Sequence, residues 1–171
     1  MTAPRHSSRA ALELAGEYPG VLAVSAWKNL GICSWTGGAT GPAVDALVQA
    51  MEKVRVPGQR SSWVHLIREG LPLPDGGART NFIRLMKERQ DELACVAIVV
   101  GGTGFWASAM RNAVIGLRVF APRTFEYRLH GSPGEVVEWL PQGHRDKTGV
   151  ELPSETLAQL IAQALRFEPS R

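Results

Sequence analysis

The segment 102–107 (GTGFWA) carries the glycine spacing of a dinucleotide-binding turn. It matches G-x-G-x-x-A, and it lies between an apolar run and a helical pattern, as that motif requires. Glycines in such a turn let the backbone approach a pyrophosphate at the helix N-terminus. However, Phe105 and Trp106 are bulky where phosphates would lie, and the next predicted strand, 124–129, offers no acidic residue at its end for a ribose. Nucleotide binding through Gly102-Thr103-Gly104 is therefore one alternative, and a plain tight turn is the other.

Nucleophiles and acid–base groups are present as residue types but not as sets. Ser108 lies within a helical pattern and Cys95 within a strand pattern. Neither stands in a G-x-S-x-G turn, which would expose a nucleophile. Asp75 and His65 flank one predicted loop, where a lone carboxylate and imidazole are more often surface groups than an acid–base pair. We therefore predict no catalytic residue and expect a protein that is not an enzyme.

The cysteines and histidines do not form a metal-binding pattern. Cys33 and Cys95 both lie in apolar, strand-like runs, which predicts buried free thiols. The histidines are His6, His65, His130 and His144. They do not cluster, and they lack ordered spacing with the cysteines, which a structural metal site requires. We therefore expect no metal and no cofactor.

The overall composition is that of an ordinary globular chain. The 171 residues are 44% hydrophobic and 20% charged, and the formal net charge is +3. This length suits one domain with a substantial core. Basic residues are scattered among acidic ones rather than forming a stripe, so nucleic acid is not indicated as a partner. No apolar run has the length of a signal peptide core or a membrane span, and we expect a cytoplasmic protein.

The elements that must position these side chains are organised around residues 94–117. Residues 95–100 are continuously apolar and rich in β-branched side chains, and Gly101 and Gly102 end the run. Such a run is typical of a strand buried on both faces of a parallel sheet. From Phe105 the apolar residues recur at steps of three and four, as on one face of a helix. They are Trp106, Ala109, Met110, Ala113, Val114 and Leu117. A strand, a glycine turn and an amphipathic helix therefore form the central layer.

The remaining patterns predict alternating strands and helices. They are a polar tail over 1–8, a short helix over 8–16, strands over 21–27 and 30–36, a helix over 42–54, a strand over 61–69, a helix over 79–92, a strand over 124–129, a short helix over 133–140, a polar linker over 141–149 and a last helix opened by Ser154. This order predicts an α/β fold with a mixed, mostly parallel sheet of about four to five strands and helices packed on it. It divides the chain into an N-terminal tail and short helix (1–20), an α/β domain (21–140) and a linker with a C-terminal helix (141–171).

The element order resembles that of the STAS superfamily, and particularly STAS/SEC14-type proteins similar to sporulation anti-sigma-factor antagonists. Two segments carry the resemblance: 94–102 followed by the helix with Phe105 and Trp106, and the close SPGEVVEWL over 132–140. The residues that match the close are Glu135, Val136, Trp139 and Leu140. The resemblance covers about residues 24–140. It implies a STAS-like fold and a binding or switching module whose partner is unknown.

The resemblance also implies a phosphosite candidate. In phosphoregulated members of the superfamily, a kinase partner modifies a serine or threonine at the start of a helix, and the added charge disrupts docking. The corresponding region here is 71–81 (LPLPDGGARTN). It lacks the family's Asp-Ser-Ser-Gly-like sequence, and Thr80 is the only hydroxyl residue nearby. Thr80 is therefore the phosphosite candidate, and a solvated or capping threonine is the alternative.

Position in the fold gives the contact candidates. Open α/β sheets usually bind at the carboxyl ends of their strands. The residues predicted on the loops there are Asp75, Gly76, Thr80, Thr103 and Phe105. We expect these residues to contact a partner or ligand.

Two apolar features remain open to more than one interpretation. Five tryptophans are many for this length: Trp27, Trp35, Trp63, Trp106 and Trp139. They suit the pocket of a carrier for a small apolar, lipid-like ligand, and a well-filled core explains them equally well. The apolar stripe of the segment 151–167 must cover either this domain's sheet or a partner's surface. The leading functional prediction is a non-enzymatic module that binds another protein or a second copy of itself.

Overall fold

The strand at the centre of the sequence pattern, β5 (Leu93–Val100), is buried along its whole length in the computed structural model, which describes residues 10–170. The other strands are β1 (Glu13–Tyr18), β2 (Leu22–Trp27), β3 (Leu30–Trp35), β4 (Ser61–Ile67) and β6 (Glu126–His130). The helices are α1 (Gly41–Val54), α2 (Gly76–Glu88), α3 (Gly104–Arg118), α4 (Pro133–Thr148) and α5 (Ser154–Ala164).

The six strands form one sheet in sequence order, β1 to β6. Both pairings that involve β2 are antiparallel, and β3, β4, β5 and β6 pair in parallel. Right-handed crossovers that always step in the same direction place their helices on the same face of the sheet. Accordingly, α1, α2 and α3 share one hydrophobic core, while α4 and α5 cover the opposite face. The predicted α/β fold with a mixed, mostly parallel sheet is confirmed, with six strands rather than four to five.

The predicted short helix over 8–16 is wrong where the structure describes it. Residues Glu13–Tyr18 form the edge strand β1, which pairs antiparallel with β2 and shifts register between Leu14 and Gly16. A side chain at Gly16 would lie 2.9 Å from Ala50 Cβ on α1, so glycine allows the strand to pass close to the helix. Pairing with the otherwise open edge of β2 prevails over a weak helical pattern. The predicted tail over 1–8, including Ser8, lies outside the described residues.

The predicted linker over 141–149 is helical up to Thr148. The helix α4 runs through Pro141, although proline removes one hydrogen bond of the helix ladder. Its continuation is stabilised by packing, because Leu140 and His144 are fully buried against the sheet. Gly149 ends the helix in a left-handed conformation (φ +73°). Burial on the sheet therefore outweighs the local signal of the proline.

The helix α2 differs from its predicted bounds at both ends, and one open alternative is resolved. The helix predicted over 79–92 begins at Gly76 and ends at Glu88, and Leu93 starts β5. The C-terminal helix α5 covers this chain's own sheet: its apolar stripe is buried, and Ser34 Oγ on β3 donates a hydrogen bond to the Ala164 carbonyl (2.9 Å). The buried stripe of the segment 151–167 therefore covers this domain's sheet rather than a partner's surface.

Candidate functional site

An apolar cleft of about 80 Å³ lies between the sheet and the helices α1, α2 and α3. Its walls consist of aromatic, aliphatic and methionine side chains with a few backbone segments. The wall residues from the sheet include Trp35, Trp63, His65, Ile67, Val96, Ile98 and Tyr127, and those from the helices include Leu47, Met51, Phe82, Met86, Met110, Val114 and Leu117. Pockets of this kind, apolar with few polar groups, are typical binding sites for small molecules.

Three aromatic rings stand together in this cleft. Trp35 and His65 stack with their ring centroids 6.3 Å apart and their planes 15° apart. Phe82 of α2 meets both rings edge-on, at 5.9 Å from Trp35 and 6.3 Å from His65. Such offset and edge-to-face arrangements are favourable for aromatic pairs. The three residues form an aromatic group, named here the Trp35 trio, on one wall of the cleft.

His65 is the polar member of the Trp35 trio. Trp35 Nε1 donates a hydrogen bond to His65 Nδ1 (3.1 Å), which fixes Nδ1 as an acceptor. The proton of the neutral ring is therefore on Nε2. Burial lowers the pKa of His65 to about 4, so the ring is neutral at physiological pH. The walls of the cleft, which are mainly apolar, thus include one imidazole N–H.

One end of the cleft, its rim, lies at the carboxyl ends of β3 and β4, where Trp35 and Ile67 line it and where open α/β sheets usually bind ligands. The loop between β4 and α2 forms this rim and is held by two hydrogen bonds. Trp106 Nε1 on α3 donates to the Leu71 carbonyl (2.6 Å), and the Asp75 backbone N–H donates to the Ala39 carbonyl (3.1 Å). The rim is therefore positioned by the helix on one side and by the β3–α1 loop on the other.

The predicted contact residues on this rim have structural roles. Asp75 caps α2, because its Oδ1 accepts a hydrogen bond from the Ala78 N–H (2.6 Å), and Gly76 is the first residue of that helix. Thr80 is exposed in the next turn, and its hydroxyl donates to the Gly76 carbonyl (3.0 Å). The phosphosite at Thr80 stays a prediction, on an exposed hydroxyl already bonded within its helix.

The other predicted contact residues, Thr103 and Phe105, lie at the start of α3. Thr103 is the N-cap residue without a side-chain capping bond, and the Phe105 side chain is 91% exposed. Phe105 opens a row of exposed residues spaced three and four apart along the helix. This row, named here the α3 stripe, comprises Phe105, Ser108, Asn112, Ile115 and Val119. The α3 stripe contains no charged side chain.

Side chains of the protein lie beside the glycine turn before α3, where a phosphate would have to bind. Gly102 and Gly104 adopt the left-handed region, with φ of +82° and +86°. A side chain at Gly102 would lie 2.8 Å from Glu69 Oε1, so a carboxylate stands beside the turn. Arg111 Nη2 donates to the Gly102 carbonyl (2.8 Å) and also to the Val100 carbonyl (3.2 Å). A carboxylate at this position repels phosphates, and the nearby arginine is bonded to the backbone, so the geometry disfavours a pyrophosphate site.

A further set of buried groups with nucleophilic or basic atoms lies away from the cleft, under α4. His144 Nδ1 lies 2.8 Å from Ser62 Oγ, and both residues are fully buried. Cys95 adjoins them, and burial raises the pKa of its thiol to about 11, with Glu126 contributing. A serine and a thiol without access to solvent cannot meet a substrate, so this contact is structural.

His130 forms a second cluster at the β6 edge of the sheet. Its ring lies 5.1 Å from that of Trp139, and its Nδ1 lies 3.8 Å from Glu135 Oε2. Burial lowers the pKa of His130 more than the Glu135 carboxylate raises it. Glu135 in turn accepts a hydrogen bond from the Gly131 N–H (2.9 Å), so the cluster ties β6 to α4.

Within residues 10–170, no group of three or more histidine, cysteine or acidic side chains is placed to hold a metal ion. Over the same residues, none of the helices has the length and apolar character needed to span a membrane. Neither a protein-family model nor a curated protein sequence matches this chain. The resemblance to the STAS superfamily therefore stays a prediction.

The sequence predictions name the rim residues Asp75, Gly76 and Thr80 as well as Thr103 and Phe105. They also offer the tryptophans as the lining of an apolar pocket, but they do not place that pocket between the sheet and α1, α2 and α3. A signal for the cleft was present in the strand pattern SSWVHLI, because alternation places Trp63, His65 and Ile67 on one face of β4. The α3 stripe was also readable, since its spacing continues the helical period on the side opposite the predicted buried residues.

Proposed function

We propose that the chain is a non-enzymatic interaction module, of the regulatory kind that the STAS resemblance implies, and that it binds a second copy of itself through the α3 stripe. The observation that carries this proposal is the exposure of large apolar side chains on a helix: Phe105 is 91% exposed, Val119 79% and Ile115 50%. Apolar residues spaced three and four apart on an exposed helical face are typical of a helix-packing seam.

The spacing of the α3 stripe favours a second copy as the partner. Its members lie at positions −7, −4, 0, +3 and +7 relative to Asn112, so the row is nearly symmetric about that residue. Two copies crossing antiparallel on a two-fold axis at Asn112 would place Phe105 of one copy against Val119 of the other. Self-complementarity of this kind is what a two-fold interface requires. The two Asn112 side chains would then face each other. Facing polar residues of this kind can set the register of a helix pair.

The charges around the α3 stripe fit the same arrangement. The stripe itself bears none, while Arg111 and Arg118 lie along one side of it and the small residues Ala109 and Gly116 along the other. Arg111 is bonded to backbone carbonyls of its own chain. Small residues on the open side let a second helix approach closely.

The test introduces a carboxylate at the proposed axis. Asn112→Asp is nearly isosteric, and in the antiparallel pair it would place two carboxylates against each other. Like charges in direct opposition destabilise a contact. We therefore expect the Kd of the dimer to be about ten-fold higher for Asn112→Asp than for the wild type. Gln49→Glu, the same kind of change at an exposed position of α1, is the matched control.

Sedimentation velocity over a range of protein concentrations measures the association. The proposal predicts a concentration-dependent dimer for the wild type and for Gln49→Glu, and a weaker one for Asn112→Asp. One helix face is small beside a standard interface, so we expect the dimer to be weak. A wild type that stays monomeric throughout, or a dimer that Asn112→Asp leaves unchanged, would contradict the proposal.

A second candidate function is the carriage of a small apolar ligand. The cleft of about 80 Å³ beside the Trp35 trio favours it. Of the five tryptophans, Trp35 and Trp63 line this cleft and Trp106 holds its rim, whereas Trp27 and Trp139 pack on the other face of the sheet. Native mass spectrometry of protein purified from its own host tests carriage. A retained mass above that of the polypeptide is expected, and the bare chain would count against it.

A further inference from the structure

We propose that the cleft takes a small, uncharged, mainly apolar molecule with one hydrogen-bond acceptor, such as a ketone, ester or ether, and that His65 Nε2–H donates to that acceptor. This inference rests on the second candidate function, ligand carriage. It names the class of ligand and the residue that would select it.

His65 is the donor that the cleft leaves available. Its Nδ1 is committed as the acceptor of the Trp35 indole, so Nε2 carries the proton. The other two side-chain donors in the walls are already bonded within the chain. Trp63 Nε1 donates to Ser61 Oγ (2.9 Å), and the Tyr127 hydroxyl donates to the Val114 carbonyl (3.2 Å). No described residue accepts a hydrogen bond from His65 Nε2, although this ring lines the cleft.

The charge of the walls limits the ligand to an uncharged one. Among the described residues that line the cleft, none is a lysine, arginine, aspartate or glutamate. An ionised carboxylate or amine taken into such a site would lose its hydration without gaining a counter-ion, which costs several kcal/mol or more. A neutral acceptor such as a carbonyl loses much less hydration, and one N–H offsets that loss.

The size and shape of the cleft limit the ligand further. A volume of about 80 Å³ suits a short branched chain. For comparison, a cavity of about 150 Å³ lined by aliphatic and aromatic side chains can bind benzene. The Trp35 trio provides a flat wall on one side, and the methionines Met51, Met86 and Met110 provide adaptable walls on the others.

The test uses two probes of nearly equal shape that are smaller than benzene, acetone and isobutene. The first carries a carbonyl oxygen where the second carries a methylene group. Binding of each probe to the wild type, to His65→Phe and to His130→Phe is measured by NMR titration. His130 does not line the cleft, so the same histidine-to-phenylalanine change there is the matched control. Because the probes differ in hydration, the quantity compared is the ratio of ketone affinity to alkene affinity within each protein.

The expected ratio falls by roughly two- to ten-fold in His65→Phe, which is the factor that one neutral hydrogen bond gives. The ratio stays unchanged in His130→Phe. In addition, the His65 Nε2–H resonance of the wild type should move with the ketone and much less with the alkene. This second readout needs no variant, so it decides the question even if His65→Phe, which leaves the Trp35 indole without its acceptor, fails to fold.

Two other results would overturn the inference, and they differ in whether the proposal of ligand carriage also fails. If both probes enter the cleft but His65→Phe leaves the ratio unchanged and the Nε2–H resonance does not move, His65 selects nothing, while ligand carriage stands. If neither probe shifts the methyl resonances of Met86 and Met110, the cleft takes up no such molecule, and both the inference and ligand carriage fail.

Discussion

His144 is fully buried and His65 is partly buried, both as neutral imidazoles, and this makes the stability of the fold dependent on pH. Burial lowers the pKa of each to about 4, below the ordinary value near 6.5 that each regains on unfolding. Between those two values the unfolded chain binds more protons than the folded chain. The free energy of unfolding is therefore highest, with respect to these two groups, above about pH 6.5. It falls as the pH is lowered towards 4.

His144→Asn tests this dependence at one residue. The asparagine Oδ1 can replace Nδ1 as the partner of Ser62, but the side chain does not titrate. We expect urea unfolding of the variant to lose less stability than the wild type between pH 6.5 and pH 4, by roughly 3 kcal/mol. Equal losses in the two proteins would show that His144 does not contribute to the pH dependence.

Among the strands, the pairing of β3 with β4 depends on a glycine. Gly31 pairs with Trp63, and a side chain at Gly31 would lie 2.1 Å from the buried indole ring. We expect Gly31→Ala to lower the free energy of unfolding by roughly 1–3 kcal/mol, since the indole ring must shift towards the cleft that it lines, and overpacking of this kind costs about that much. Gly134→Ala is the control, because the nearest atom to its new methyl group is at 3.7 Å. Urea unfolding of both variants measures this, and losses of equal size would contradict the packing explanation.

The elements that the sequence predicts well are those whose boundaries are set locally. Thr40 and Pro42 mark the start of α1, and Ser132 with Glu135 marks the start of α4; the structure confirms both starts. The all-apolar run of β5 also specifies a fully buried strand. In each case a few neighbouring residues contain the whole signal.

The wrong predictions concern elements whose state depends on distant residues. The strand β1 is held by pairing with β2, and α4 continues past Pro141 because Leu140 and His144 pack on the sheet. A short stretch of sequence around β1 or Pro141 does not show that β2 or the sheet will pack there. The cleft has the same origin, since its walls come from three strands and three helices that only the fold brings together.

At the scale of the whole molecule, α3 separates the two candidate binding surfaces. Met110, Val114 and Leu117 face the cleft, while the α3 stripe faces outward. The two proposals use opposite sides of one helix, so a substitution on the stripe can be made without altering the cleft. Self-association through the α3 stripe can be tested with a covalent trap at the proposed two-fold axis.

The native thiols permit this experiment. Cys33 and Cys95 are both buried, and burial raises the pKa of each thiol, so neither reacts readily under mild oxidation. A cysteine introduced on the surface therefore reports on its own surroundings. Two helices packed roughly 8–10 Å apart bring facing Cα atoms on a two-fold axis to about 4–5 Å, within the reach of a disulfide.

The measurement is mild oxidation of Asn112→Cys beside Gln49→Cys, followed by non-reducing electrophoresis. Both positions are exposed, but only residue 112 lies at the proposed axis. The account predicts a disulfide-linked dimer that forms rapidly for Asn112→Cys and slowly, by random collision, for Gln49→Cys. Equal rates of dimer formation at the two positions, or no dimer at residue 112, would contradict self-association through the α3 stripe.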